Sequence, residues 1–151
     1  MTALLLDTNV LLLFLVGNKH RDQIGKKRLS SFDDRDLNLV NQYAFQIKRH
    51  ITLPNILSEV SNFIGSGKQQ WVPDGSELLK KYSEAAEESY FESVELVQNS
   101  EFHRIGLTDT AILRLARDDA KVLTVDNELY GRLVANSIDA INILHFKTPR
   151  R

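Results

Sequence analysis

The sequence predicts an α/β protein in which a central, mostly parallel sheet is covered by helices on both faces. Short apolar runs alternate along the chain with segments whose apolar residues recur at helical spacing. The runs at residues 3–6 and 122–125 are apolar at nearly every position, rather than at every second one. This pattern is typical of strands that are buried on both faces of a parallel sheet.

The first half of the chain is predicted to contain one strand and three helices. The strand at residues 3–6 leads into a helix over 10–16, and a loop rich in glycine, serine and aspartate follows over 17–36. Apolar residues spaced three and four apart then predict a helix over 37–47. Another helix is predicted over 54–64, because proline suits its first turn and glycine follows its last residue.

The second half of the chain is predicted to repeat this alternation. An amphipathic helix is expected over residues 78–86, and a second helix, begun by a threonine or an aspartate, over 108–116. A strand rich in β-branched residues follows at 122–125, then a helix over 129–134. The last strand is expected within 138–144. We find no repeat, low-complexity tract or second linker, so residues 1–151 are predicted to form a single domain.

Length and composition agree with one soluble globular domain. The chain has 151 residues, of which 42% belong to the apolar set AVILMFWYC, and its formal net charge is −1. It is therefore neither disordered nor a uniformly basic nucleic-acid coat. It contains no cysteine, which excludes disulfides, thiolate metal sites and cysteine nucleophiles. Its apolar segments are too short to span a bilayer, and we expect a cytoplasmic protein.

Four acidic residues occupy positions from which they can meet. Asp7 and Asp126 each follow an apolar run directly, so parallel strands would bring both carboxylates to the same edge of the sheet. Asp109 opens the helix that leads into the second of these strands, and Glu59 borders the apolar stripe of its own helix. Carboxylates crowded together raise one another's pKa. Mg²⁺ or Mn²⁺ would relieve that repulsion, and two such ions about 4 Å apart can clamp a phosphodiester.

Each of these acids also has a purely structural interpretation, which the residues alone leave open. Asp7 and Asp126 stand where helix N-caps are expected, and Asp109 would gain from the dipole of its helix. Glu59 is equally consistent with a solvated residue at the rim of a buried face. The joint pattern favours a shared site more strongly than any one residue does.

Together these segments resemble the PIN-domain family. The resemblance is carried by residues 4–10 (LLLDTNV), 53–60 (LPNILSEV), 106–113 (GLTDTAIL) and 122–129 (VLTVDNEL). Their order, residue types and approximate intervals match four successive motifs of the family and span nearly the whole chain. The stretch 17–36 is longer than in compact toxin-like members, which weakens the likeness to VapC-type toxins without touching the acidic residues.

The resemblance implies a three-layer α/β/α sandwich and a Mg²⁺- or Mn²⁺-dependent ribonuclease. The resemblance also implies catalytic, metal-binding acids at Asp7, Glu59, Asp109 and Asp126, and an auxiliary metal ligand at Glu128. Glu128 is also explained as an ordinary acid at the start of a helix. The family further implies a homodimer and, if the protein is a toxin, a cognate antitoxin.

Two charged segments are candidates for contacts with other molecules. The loop from residue 19 to residue 28 holds five basic side chains against one acid, and these are predicted to contact RNA phosphates or to be merely solvated. The five are Lys19, Arg21, Lys26, Lys27 and Arg28. Residues 82–102 hold six glutamates and no lysine or arginine, and are predicted to form a solvated helix face or to dock a basic partner.

The function predicted first is hydrolysis of RNA phosphodiester bonds by a two-metal mechanism. Two other classes compete with it. A phosphotransferase with Asp7 as nucleophile would expect a second aspartate two positions later, where Asn9 stands instead. A non-catalytic RNA- or protein-binding module of the same fold would need no acids at all, yet all four are present.

Overall fold

A computed structural model of the chain describes residues 2–146 and confirms the predicted α/β fold class. Five strands form one sheet in which every neighbouring pair is parallel, in the order β3-β2-β1-β4-β5. The strands are β1 (Ala3–Leu6), β2 (His50–Thr52), β3 (Glu87–Glu88), β4 (Ala120–Thr124) and β5 (Asp139–Asn142). This arrangement agrees with a three-layer α/β/α sandwich.

Strand β1 lies at the centre of the sheet, and all four of its side chains are apolar and buried. It pairs with β4 over its whole length, and Leu6 lies opposite Leu123. The pairing continues one residue further, where the Asp7 N–H donates to the Leu123 carbonyl at 3.0 Å. The register therefore fixes where the chain leaves β1 relative to β4.

Seven α-helices occupy the described part of the chain. The helices are α1 (Thr8–Leu12), α2 (Asp34–Gln46), α3 (Pro54–Ile64), α4 (Gly75–Ala85), α5 (Ser93–Leu96), α6 (Phe102–Leu115) and α7 (Asn127–Ala135). Helix α1 continues as a π-helical turn over Leu13–Gly17. Helix α3 contacts α1, α4 and α6, and α6 also contacts α5 and α7. None of the helices between residues 2 and 146 is long and apolar enough to cross a membrane.

Most of the predicted elements are confirmed, and one prediction is wrong. Residues 82–102 do not form one acidic helix face, because α4 ends at Ala85 and is followed by β3 and the short α5. The helix expected to start at Thr108 or Asp109 is present as the part of α6 that follows a break at Gly106, where the backbone is not helical. Strand β2 was not predicted, since its three residues carry no usable periodicity.

The long loop after Gly17 is held against α3 and α4 rather than extending into solvent. It contains single 3₁₀ turns at Arg21–Gln23 and Lys27–Leu29, and α2 begins at Asp34 instead of Leu37. The Trp71 Nε1–H donates to the Gln23 side-chain oxygen at 2.9 Å. Because the fully buried Leu29 anchors it as well, the loop has a defined position next to the sheet edge.

Candidate functional site

A cavity of about 500 Å³ opens at the edge of the sheet where the parallel strands end. Ligands bind at this edge in open α/β sheets, because the chain leaves each strand there and turns into a loop or helix. All four acids selected from the sequence line the cavity: Asp7, Glu59, Asp109 and Asp126. They come from four separate segments of the chain, which the fold brings together as predicted.

Asp7 is held rigidly at the end of β1. Its carboxylate accepts from the Thr8 backbone N–H at 2.7 Å, so it caps α1, and from the Thr124 hydroxyl at 2.8 Å. Burial raises the pKa of Asp7, while these two hydrogen bonds lower it in part. The N-cap interpretation is therefore correct for Asp7, and it is compatible with a place in the cavity wall.

Asp126 lies two residues beyond β4 and caps α7 by accepting from the Leu129 N–H at 3.0 Å. Its own N–H donates to the Thr124 hydroxyl oxygen at 3.0 Å. Thr124 thus bridges the two aspartates, because its hydroxyl donates to Asp7 and accepts from Asp126. One fully buried side chain sets the spacing of two acids that are far apart in sequence.

Glu59 is clamped by hydroxyl donors from two other helices. The Thr8 hydroxyl donates to Oε2 at 2.6 Å, and the Thr108 hydroxyl donates to Oε1 at 2.9 Å. Both carboxylate oxygens of Glu59 are therefore fixed, and the side chain is only partly exposed. This geometry excludes the solvated-rim interpretation of Glu59 and ties α1, α3 and α6 together at the cavity.

Asp109 reaches the cavity because α6 is broken just before it. Gly106 has φ 84° and ψ 178°, a conformation that favours glycine, and the Thr110 hydroxyl donates back to its carbonyl at 2.6 Å. No hydrogen bond to the Asp109 carboxylate is present among residues 2–146. Burial, reinforced by the charges of Asp7, Asp126, Glu59 and Glu128, raises the pKa of Asp109 to about 8.

The chemistry of this donor set fits a hard divalent cation. The described residues contain no ready-made group of three or more ligating side chains. Mg²⁺ does not require one, since it typically uses one or two carboxylates and fills its other positions with water and substrate phosphate. Asp109 is repelled by its neighbours and accepts no hydrogen bond from the described residues, so it is the group that a cation would stabilise most.

The remaining predicted site residues are distributed unevenly around the cavity. Glu128 does not line it; its exposed carboxylate lies 3.6 Å from Arg104, although its charge still acts on Asp109. Of the five basic loop residues, only Arg28 lines the cavity. Lys27 lies over the Trp71 ring, and the other three, Lys19, Arg21 and Lys26, lie outside the cavity wall.

Sequence reasoning missed the hydroxyl donors that orient the acids. Thr8, Thr108 and Thr124 each lie within two residues of an acid in the sequence, but only the folded contacts reveal their roles. Asn9 also lines the cavity, and its buried Oδ1 has no hydrogen-bond partner among the described residues. The signal that was available is a threonine next to the aspartate in two of the four motifs, and two residues before it in a third.

No protein-family model matches the sequence, and no curated protein is significantly similar to it. What the cavity can do chemically follows from its own side chains.

We predict that Asp109→Asn stabilises the metal-free protein. The pKa of about 8 in the folded protein lies above the ordinary aspartate value of 3.8. Between these values the folded chain keeps a proton that the unfolded chain has lost, so Asp109 lowers the stability of the fold as pH rises. In EDTA the variant should melt a few degrees above wild type near pH 8. The difference in melting temperature should be smaller near pH 5. Thermal unfolding at several pH values measures this. A variant that melts lower at every pH would show that Asp109 has a capping role instead.

A second prediction concerns Thr124, whose hydroxyl serves both aspartates. Thr124→Val leaves a buried carboxylate oxygen and an N–H without their partner, and should cost about 1–3 kcal/mol of unfolding free energy. Thr52→Val is the matched control, because Thr52 is equally buried and its hydroxyl has no partner among the described residues. Chemical denaturation compares the two, and Thr124→Ser should restore stability. Equal effects of the two valine variants would contradict the bridging role.

Proposed function

We propose that this protein is a metal-dependent endoribonuclease that hydrolyses RNA phosphodiester bonds in the cavity at the edge of its sheet. The observation that carries the proposal is the convergence of four carboxylates, from four separate chain segments, on one cavity. These carboxylates lie in the four motifs that resemble the PIN-domain family. Fold, order of motifs and cavity chemistry therefore support the same function.

Asp7, Glu59, Asp109 and Asp126 are the residues that would hold Mg²⁺ or Mn²⁺. When bound, the cation supplies a Lewis acid that stabilises charge on the scissile phosphate and activates water. Without a cation, the negative cavity would repel a phosphodiester, so binding of cation and substrate should be coupled. Glu128 is close enough to act on Asp109 electrostatically and has at most an auxiliary place in this set.

The protein's own contribution is to fix the acids before the reaction begins. The hydroxyls of Thr8, Thr108 and Thr124 orient Asp7 and Glu59, which limits the reorganisation needed when charge develops. Apolar side chains of Ile105 and Leu107 form part of the wall and lower the local polarity. Hydrolysis with inline attack of water would leave 5′-phosphate and 3′-hydroxyl ends.

The resemblance to PIN proteins extends the proposal to partners. The resemblance also implies a homodimer, a cytoplasmic location, and a role as the toxin of a toxin–antitoxin pair with a cognate antitoxin. These stay predictions, and a small DNA-binding protein encoded immediately upstream would support the toxin interpretation.

We predict that cleavage of single-stranded RNA requires divalent cations. EDTA should abolish cleavage, and added Mg²⁺ or Mn²⁺ should restore it, because the four acids cannot organise a phosphodiester without a counter-charge. The assay follows a labelled RNA by gel electrophoresis. Full activity in EDTA would rule out the metal-dependent mechanism, and metal binding without any cleavage would favour the non-catalytic module.

Removing the charge of each cavity acid is expected to stop the reaction while leaving the fold intact. Asp7→Asn, Glu59→Gln, Asp109→Asn and Asp126→Asn should each reduce the cleavage rate by orders of magnitude, and double variants should lose little more. Asp118→Asn makes the same chemical change on the exposed segment before β4 and should have no effect. Glu128→Gln should reduce the rate less than any cavity variant does.

This set of variants also identifies which acids belong together. A fully active Glu59→Gln protein, beside three inactive aspartate variants, would remove Glu59 from the site. Additive losses in the double variants would show that the acids act independently rather than as one site.

A further inference from the structure

The long loop before α2 delivers one basic side chain to the acidic cavity. The Arg28 guanidinium carbon lies 3.8 Å from the centre of the Phe63 ring, and both residues line the cavity. Phe63 follows Glu59 by one helical turn, so the two side chains share a face of α3. The Arg28 guanidinium is therefore held at the same rim of the cavity as Glu59.

The backbone on both sides of Arg28 is fixed. Leu29, the next residue, is fully buried, and the preceding Lys27 has φ 48°, an uncommon value for a residue other than glycine. The Lys27 ammonium lies 5.6 Å from the centre of the Trp71 ring. A strained residue beside a cavity-lining cation is typical of functional positions, where surrounding packing maintains the conformation.

Arg28 keeps its hydrogen-bonding capacity for a ligand. Within residues 2–146 it forms no ion pair, although four carboxylates line the same cavity. The guanidinium carbon lies over the Phe63 ring, and none of the described residues accepts a hydrogen bond from the Arg28 side chain. A planar guanidinium with free N–H groups matches the oxygens of a phosphate, to which it can donate two parallel hydrogen bonds.

We infer that Arg28, held by Phe63, binds a phosphate of the RNA strand beside the scissile bond and so positions that strand over the acids. The inference rests on the proposed function and deepens it, because it assigns the substrate contact to one residue of the basic loop. The loop's other cations, which lie outside the cavity wall, are not required. Arg28 is thus a substrate-binding residue, and Phe63 is a positioning residue that acts through it.

The test measures binding of a short, fluorescein-labelled single-stranded RNA by fluorescence anisotropy, with Ca²⁺ in place of Mg²⁺ and at several salt concentrations. Arg28→Ala should raise Kd about tenfold, the loss of one strong charge-assisted contact. The slope of log K against log salt should fall by about 0.7, as expected for one phosphate contact to a single strand. Circular dichroism checks that each variant is folded.

Two further variants separate charge from orientation. Phe63→Leu keeps the guanidinium but removes the ring, so Kd should rise while the salt slope stays that of wild type. Arg28→Lys should also keep the slope and lose part of the affinity, because an ammonium lacks the planar pair of donors. Arg117→Ala removes a charge from an exposed residue between α6 and β4 and should bind RNA like wild type.

The possible outcomes distinguish this inference from the proposed nuclease. Wild-type affinity and slope in Arg28→Ala, or an equal loss in Lys26→Ala, would overturn the role of Arg28 even if RNA is cleaved. If the wild-type chain neither binds nor cleaves single-stranded RNA with any divalent cation, the nuclease proposal and this inference both fail. Tighter binding to single-stranded DNA than to RNA would correct the substrate class.

Discussion

Four like charges cannot share a partly buried cavity unless something offsets their repulsion, and this constraint shapes the whole functional edge of the sheet. Asp7 and Glu59 are stabilised by hydroxyl and backbone donors, and Asp126 by the backbone of α7. Asp109 receives none from the described residues, and burial, reinforced by the charges of its neighbours, raises its pKa. The fold therefore holds three acids in place and leaves the fourth in need of a counter-charge.

The sheet makes this arrangement possible because its central strands are parallel and in fixed register. Pairing of β1 with β4 brings Asp7 next to Thr124, although 117 positions separate them in the sequence. The apolar side chains that bury β1 thereby also set the position of an acid. Packing and function are coupled here, since a slip in register would separate Asp7 from its hydroxyl donor.

The sequence predicted those parts of the fold and site that depend on local pattern. Continuous apolar runs identified β1 and β4, and their parallel pairing predicted that Asp7 and Asp126 would meet. Strand β2 was missed because a three-residue strand has no detectable period. The acidic stretch after α4 was misjudged because glutamate-rich composition suggested a helix where the apolar spacing had already ended.

Other features depend on tertiary contacts that no local pattern encodes. The break at Gly106, which turns Thr108 and Asp109 towards the cavity, cannot be distinguished in sequence from an ordinary helix start. The stacking of Arg28 on Phe63 joins residues from a loop and a helix, and a run of basic residues does not reveal which one reaches the site. Only the folded chain separates Arg28 from its basic neighbours.

The central claim is that the four carboxylates form one cation site. Crystals grown or soaked with Mn²⁺ test it directly, because an anomalous difference map locates manganese independently of any activity. We expect one or two peaks inside the cavity, within bonding distance of carboxylate oxygens, about 2 Å for a small hard divalent cation. Manganese bound elsewhere on the molecule, with none in the cavity at saturating concentration, would contradict it.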